Sequence, residues 1–215
     1  MRVVLIGEDT CLGAGLRVHL HRWGRHEVKI LKLEAGRWKS ERKLRKSLRQ
    51  LAADILIDLR FCSKFETFDA SGYLDIKYTE WLARACEREK IFLLHVSNPV
   101  VFSGLKRNPY IENDIPDAIS DIGQLFVKNE EVLRNFCSDH IILRLGPVFA
   151  AYGSNIFTDF IAQLERKEEL HLQAKQKESP LHASDGARVI SGIIDQISAG
   201  AKEIGTFHYC GTDAI

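Results

Sequence analysis

The apolar run Arg2-Val-Val-Leu-Ile6 breaks at Gly7-Glu-Asp-Thr-Cys-Leu-Gly13. Outer glycines at this spacing suit a tight strand-to-helix turn, where backbone approaches a diphosphate and the helix N-terminus supplies N–H donors. Gly7, Thr10, Cys11, Leu12 and Gly13 are therefore candidate dinucleotide-binding positions, with Thr10 where a middle glycine would stand. Glu34, just past the second apolar run, is placed to bond a ribose diol, or is simply an exposed loop acid. Asp58 and Arg60 close the third apolar run, where they serve as an ion pair or as catalytic groups. Phe61, Phe65 and Phe68 either line a pocket or pack a loop.

Other reactive residue types lack the spacing that chemistry needs. Five cysteines (Cys11, Cys62, Cys86, Cys137, Cys210) are odd in number and contain no Cys-x-x-Cys pair, so reduced thiols in a cytoplasmic protein are expected. His19 and His21 lie two apart on a helical stretch and point to different faces, and no metal site is expected. Arg37, Lys39, Arg42, Lys43, Arg45, Lys46 and Arg49 form a basic cluster. With only Trp38 among them, it reads as the solvated face of an amphipathic helix rather than a polyanion site. The balance of 30 Lys+Arg against 29 Asp+Glu, net +1, argues against a DNA-coating protein. The start of the chain does not read as a secretory signal, and no apolar run approaches the roughly 18 residues a membrane span requires.

The elements that must position these residues alternate along the chain. Strands are expected at 2–6, 28–33, 54–59, 91–97, 140–145 and 206–210. Helices are expected at 12–23, 40–51, 73–88, 118–136, 156–166 and 187–197. Short apolar strands separated by amphipathic helices form βαβ units, so the fold class is α/β, a doubly wound, mostly parallel Rossmann-like sheet. The 215 residues suit one large domain.

Four blocks in order give the chain a family resemblance. They are His95-Val-Ser-Asn-Pro-Val-Val-Phe-Ser-Gly104, Pro109-Tyr-Ile-Glu-Asn-Asp-Ile-Pro116, Leu143-Arg-Leu-Gly-Pro-Val-Phe-Ala-Ala-Tyr-Gly-Ser-Asn155 and Ser179-Pro-Leu-His-Ala-Ser-Asp185. Together they resemble the dTDP-4-dehydrorhamnose reductase branch of the extended short-chain dehydrogenases/reductases. Gly205-Thr-Phe-His-Tyr-Cys-Gly211 resembles a later strand of that family, which leads into further helices of the sugar-binding lobe. The resemblance implies one NAD(P)-binding domain over 1–215, with an incomplete sugar-nucleotide portion over 147–183. It also implies substrate contacts from Arg144, Tyr152, Asn155 and His182.

The family reduces a sugar ketone with a nicotinamide hydride, using a Tyr acid, a Lys four residues later and a Ser/Thr that orients the carbonyl. Carried onto Asp121–Glu131, the Tyr position is Ile122 and the Lys position is Phe126, while the Ser/Thr position is Asn98. Sliding the register does not restore the pair, because the helix lysine is Lys128 and residue 124 is Gln. Asp75 stands at a family Asn position. Glu8 and Asp9 add two carboxylates beside the diphosphate, at about 1 kcal/mol or more each, so weakened or lost NAD(P) binding is expected.

Two readings follow. The first is a non-catalytic relative that binds a partner or small ligand, with a protein partner or a homodimer through 118–136 as the expected assembly. The second is an active NAD(P)-dependent reductase or epimerase whose acid is relocated to Ser97, Tyr110 or Tyr152. On the first reading, Phe126 and Ile122 form an apolar pair that fills the nicotinamide pocket.

Overall fold

A computed structural model describes residues 1–32, 40–62, 76–153, 155–169 and 179–211. Six strands form one parallel sheet: β1 (Arg2–Ile6), β2 (Glu27–Ile30), β3 (Ile55–Asp58), β4 (Phe92–Ser97), β5 (His140–Leu145) and β8 (Gly205–Tyr209). Their order is β2-β1-β3-β4-β5-β8. The four inner strands are nearly continuous apolar runs because both sheet faces are covered.

Successive residues of each strand feed opposite layers. Val3, Leu5, Ile57, Leu94 and Leu143 pack with Leu12, Leu16 and Leu20 of α1 (Cys11–Trp23) and with Ile190 and Ile194 of α6 (Ala183–Ser198). Val4, Ile6, Leu56, Leu93 and Ile142 pack against the other three long helices. These contribute Leu44 and Leu48 from α2 (Glu41–Leu51), Leu82 and Cys86 from α3 (Ile76–Glu89), and Leu133 from α4 (Asp121–Phe136).

Helix starts are set by side-chain caps rather than by the apolar pattern. Ser120 accepts from Gly123 N–H, so α4 begins at Asp121 instead of residue 118. His182 accepts from Ser184 N–H, which starts α6 at Ala183, a turn earlier than expected. The second strand stops at Ile30, short of the expected residue 33. A small parallel pair, β6 (Val148–Phe149) with β7 (Leu181–His182), went unforeseen because two-residue strands carry no readable period. Helix α5 (Ile156–Glu165) follows β6.

Strand β1 lies between β2 and β3, so its two neighbours are reached in opposite directions along the sheet. In open α/β sheets this reversal opens a crevice at the carboxyl ends of the strands. Gly7 follows β1 there, and Leu59 and Arg60 follow β3.

Candidate functional site

The turn after β1 is built around two close approaches. Gly7 has φ +81°, and a Cβ on it would lie 2.8 Å from the Leu59 carbonyl carbon. A Cβ on Gly13 would lie 2.1 Å from the Gly7 oxygen. Thr10 staples the turn: its hydroxyl donates to the Gly7 carbonyl at 2.7 Å and accepts from Gly13 N–H at 3.0 Å. The side chains of Cys11 and Leu12 are buried core, which pushes the Cys11 thiol up to about 11. These two residues can therefore offer a ligand their backbone, not their side chains. Glu8 is half-buried and Asp9 exposed, while Glu34 lies outside the described residues.

The first turns of α4 that carry Ile122 and Phe126 belong to an apolar cluster. Phe126 is fully buried, its ring 5.2 Å from that of Phe61, and Val101 completes the cluster. Ile122, Leu125 and Val127 pack around it. Asn98 is occupied as the cap of a 3-10 turn over Pro99–Val101, accepting from Val100 N–H at 2.9 Å.

The three candidate hydroxyls have separate surroundings. Ser97 is buried and donates to Glu130 at 2.6 Å. The Tyr110 hydroxyl sits 3.2 Å from the Ser103 hydroxyl, and its ring stacks on Phe102 at 4.2 Å. Lys106 Nζ lies 5.5 Å from the Tyr110 ring centre but is bound to Asp114. Tyr152 is half-exposed, with its hydroxyl over Gly15, where a Cβ would come within 3.2 Å.

Two of the four expected substrate contacts, Arg144 and Asn155, face inward instead. Arg144 is buried and grips Glu130 through two hydrogen bonds of 2.9 and 2.6 Å. Asn155 is buried; it caps α5 and donates to the Ala150 carbonyl at 2.9 Å. His182 spends Nδ1 on the cap of α6. A buried polar group must find partners, and for Arg144 and Asn155 the partners are internal. Tyr152 and His182 are exposed.

Two buried ionic networks lie behind the crevice. Asp58 and Arg60 form a doubly bonded pair, 2.8 Å at each contact, joined by His95 Nδ1 at 2.9 Å and Thr79 at 3.3 Å. Burial opposes ionisation of Asp58, yet Arg60 and His95 outweigh it and hold the carboxyl well below the usual range. Glu130 likewise stays below its ordinary value against burial, through Arg144, Ser97 and Arg134. Sequence reasoning missed Glu130 and His95 as network members, and His208, whose Nε2 lies 3.1 Å from Arg144 Nη1. The readable signal was a polar residue in a core register, such as His95 within an otherwise apolar strand.

Elsewhere, the basic residues Arg45 and Arg49 of α2 pair with Glu89 at 3.2 and 2.6 Å, and Arg88 of α3 pairs with Glu41. Residues 37–39 of that cluster, Phe65, Phe68 and Asp75 lie outside the described residues. Among the described residues no group of His, Cys, Asp and Glu is placed to hold a metal ion, and no helix is long and apolar enough to cross a membrane.

A parallel sheet with an order reversal, helices on both faces and a glycine turn at the reversal define a Rossmann-like α/β domain. The family model described as RmlD substrate binding domain matches residues 1–215, and the chain belongs to that family. A dTDP-4-dehydrorhamnose reductase of Aggregatibacter actinomycetemcomitans is 28% identical over 148 residues, 68% of this chain and 50% of the relative. One from Sinorhizobium fredii is 26% identical over 99% of this chain and 73% of its own length. The chain thus spans half of the first relative and about three quarters of the second. The structure of a dTDP-4-dehydrorhamnose reductase from Clostridium acetobutylicum superposes with TM-score 0.81 at 21% identity, covering all of this chain and 75% of that one. The Bacillus anthracis enzyme in complex with NADP superposes with TM-score 0.79 at 20% identity, covering 99% and 75%.

Proposed function

We propose that this chain is a non-catalytic member of its family that works by binding, of a protein partner or a small ligand, with weak or lost affinity for NAD(P). One observation carries the reading: Phe126, at the position of the family's lysine, is fully buried in an apolar cluster. Neither it nor Ile122 can hold or move a proton. Ser97, the hydroxyl beside the orienting position, is committed to a buried carboxylate.

The glycine turn is the kind that carries a helix N-terminus to a diphosphate, and its tightness is set by the approach of Gly7 to Leu59–Arg60 and of Gly13 to Gly7–Glu8. Gly7, Gly13 and the backbone N–H groups of Cys11 and Leu12 are the groups that would hold it. A nicotinamide, when bound, supplies a hydride. This chain's residues offer its sugar end no ammonium and no phenol from α4, and Glu8 and Asp9 oppose the diphosphate charge.

The second reading, an active reductase, finds support in Tyr110, whose ring has the Lys106 ammonium over it. One pair of measurements separates the two. Calorimetric titration with NAD, NADP and their reduced forms should give weak or no binding. The double variant Glu8→Gln/Asp9→Asn should tighten any binding by about 30-fold, the equivalent of about 1 kcal/mol for each charge removed. Oxidation of NADPH in the presence of a dTDP-4-keto-sugar should stay at background. Turnover that Tyr110→Phe abolishes would establish the reductase and end the non-catalytic reading.

A further inference from the structure

Two exposed apolar patches of opposite charge lie at opposite poles of the sheet. Strand β4 ends at Ser97, so the loop that follows it stands at the carboxyl pole. That loop is tied across itself. Ser103 donates to Asp117 through its N–H at 2.8 Å and its hydroxyl at 2.6 Å, and Lys106 Nζ donates to Asp114. The same register sets Leu105 opposite Ile115, and these two side chains are 78% and 86% exposed. Ile111 and Ile119 are exposed as well. Between 103 and 121 two basic residues stand against four acidic ones. Glu112 and Asp117 take their hydrogen bonds from neutral donors, the His208 N–H and Ser103, so the surface around the aliphatic side chains is negative.

The second patch is on α1. That helix starts beside Gly7 and runs back along the sheet, so Trp23 stands at the amino pole, close to where Glu27 pairs with Arg2. Val18 and Trp23 are each 67% exposed. Arg17, Arg22 and Arg25 are exposed around them, and the Arg22 guanidinium lies over the indole at 5.0 Å. Residues 17–25 include three arginines and no carboxylate. Trp and Arg are the side chains that most often anchor protein contacts.

We propose that the α1 patch of one copy docks on the β4–α4 loop of a second copy, head to tail. Apolar surface meets apolar surface, and guanidiniums meet carboxylates at its rim, which fixes orientation as well as attraction. A loop already tied across itself loses little freedom on docking. The two patches differ and lie at opposite poles, so the contact is heterologous. Each added copy leaves one patch of each kind uncovered, and assembly grows instead of closing at two chains. The contact is independent of the crevice, so nucleotide titration and this assembly succeed or fail separately.

The test is sedimentation of the full chain and of two variants. The average mass of the unmodified chain should climb past two chains as its concentration is raised to about 1 mM at low salt. Raising salt from about 0.05 M to about 0.5 M should weaken the association about tenfold, because it screens the charged rim. The loop variant Leu105→Ser/Ile115→Ser and the helix variant Trp23→Ser/Arg25→Gln should each stay single. Mixed in equal amounts they retain one intact contact, so their mass should rise and stop at two chains. Should the helix variant not fold, an excess of the loop variant added to the unmodified chain decides the matter: it should cap the growing assemblies and lower their mass. An unmodified chain that stays single or stops at two would overturn the proposal. So would either variant assembling as the unmodified chain does, a mixture of folded variants that stays single, or an excess of loop variant that leaves the mass unchanged.

Discussion

Replacing Phe126 by Lys restores the residue type that the family's chemistry uses, and the structure sets what it should cost. The ring is fully buried against Phe61 and Val101. Truncating a buried Phe to Ala costs about 3–5 kcal/mol. A lysine stem recovers part of the lost contact, but its ammonium enters an apolar cluster. Burial of that kind lowers a lysine by up to about 3–5 pH units, each worth about 1.4 kcal/mol at neutral pH. The net loss at pH 7 should be about 5 kcal/mol. With a urea slope of about 2 kcal/mol/M, the midpoint should drop by roughly 2 M or more.

The pH dependence identifies the cause. A buried lysine has its folded value below its unfolded one, so destabilisation is greatest below the folded value and eases as pH rises towards about 10.4. Phe126→Met, nearly volume-conserving, should cost less than about 1.5 kcal/mol and show no such easing. The assay is urea unfolding followed by tryptophan fluorescence at pH 7 and pH 9.5, with nucleotide titration of each variant. Neither variant should gain reductase activity. A Phe126→Lys chain within about 1 kcal/mol of Phe126→Met, with a midpoint flat in pH, would mean that this face of α4 opens onto solvent. The argument that the pocket is filled would then fail.

Two further outcomes test the frame around the crevice. Asp58→Asn should destabilise by about 3–5 kcal/mol at pH 7, because it removes the carboxylate that Arg60 grips through two buried hydrogen bonds. Asp58 is depressed when folded, so its contribution is present above about pH 4 and lost as pH falls further; the gap between the two chains in acid-unfolding curves should therefore close below that point. Gly13→Ala should lower the melting temperature by about 5–10 °C, since its Cβ would stand 2.1 Å from the Gly7 oxygen, whereas Gly192→Ala, with open space around it, should hold or raise it.

Much of this molecule could be read from local pattern. Alternating apolar runs and amphipathic stretches specified a doubly wound sheet, since period and strand length are properties of a few neighbouring residues. The four-residue spacing of Ile122 and Phe126 placed both on one helix turn and showed that no phenol or ammonium stands there. Gly7 and Gly13 marked the turn whose close approaches require them.

What the chain order could not supply was the partner of each polar side chain. Arg144 and Asn155 resembled ligand contacts in sequence, yet Glu130 claims the first, and the Ala150–Phe157 backbone claims the second. The helix caps at Ser120 and His182 moved two starts that periodicity had misplaced, because capping is decided by one side chain and not by a repeat. Asp58 and Arg60, two apart in the chain, were legible as a pair; His95 became the third member only because β4 lies beside β3. Burial turns an isolated charge into a large cost and a paired one into a fixed support. Which of the two a residue becomes depends on strands and helices distant in sequence, and that proximity exists only in the folded sheet.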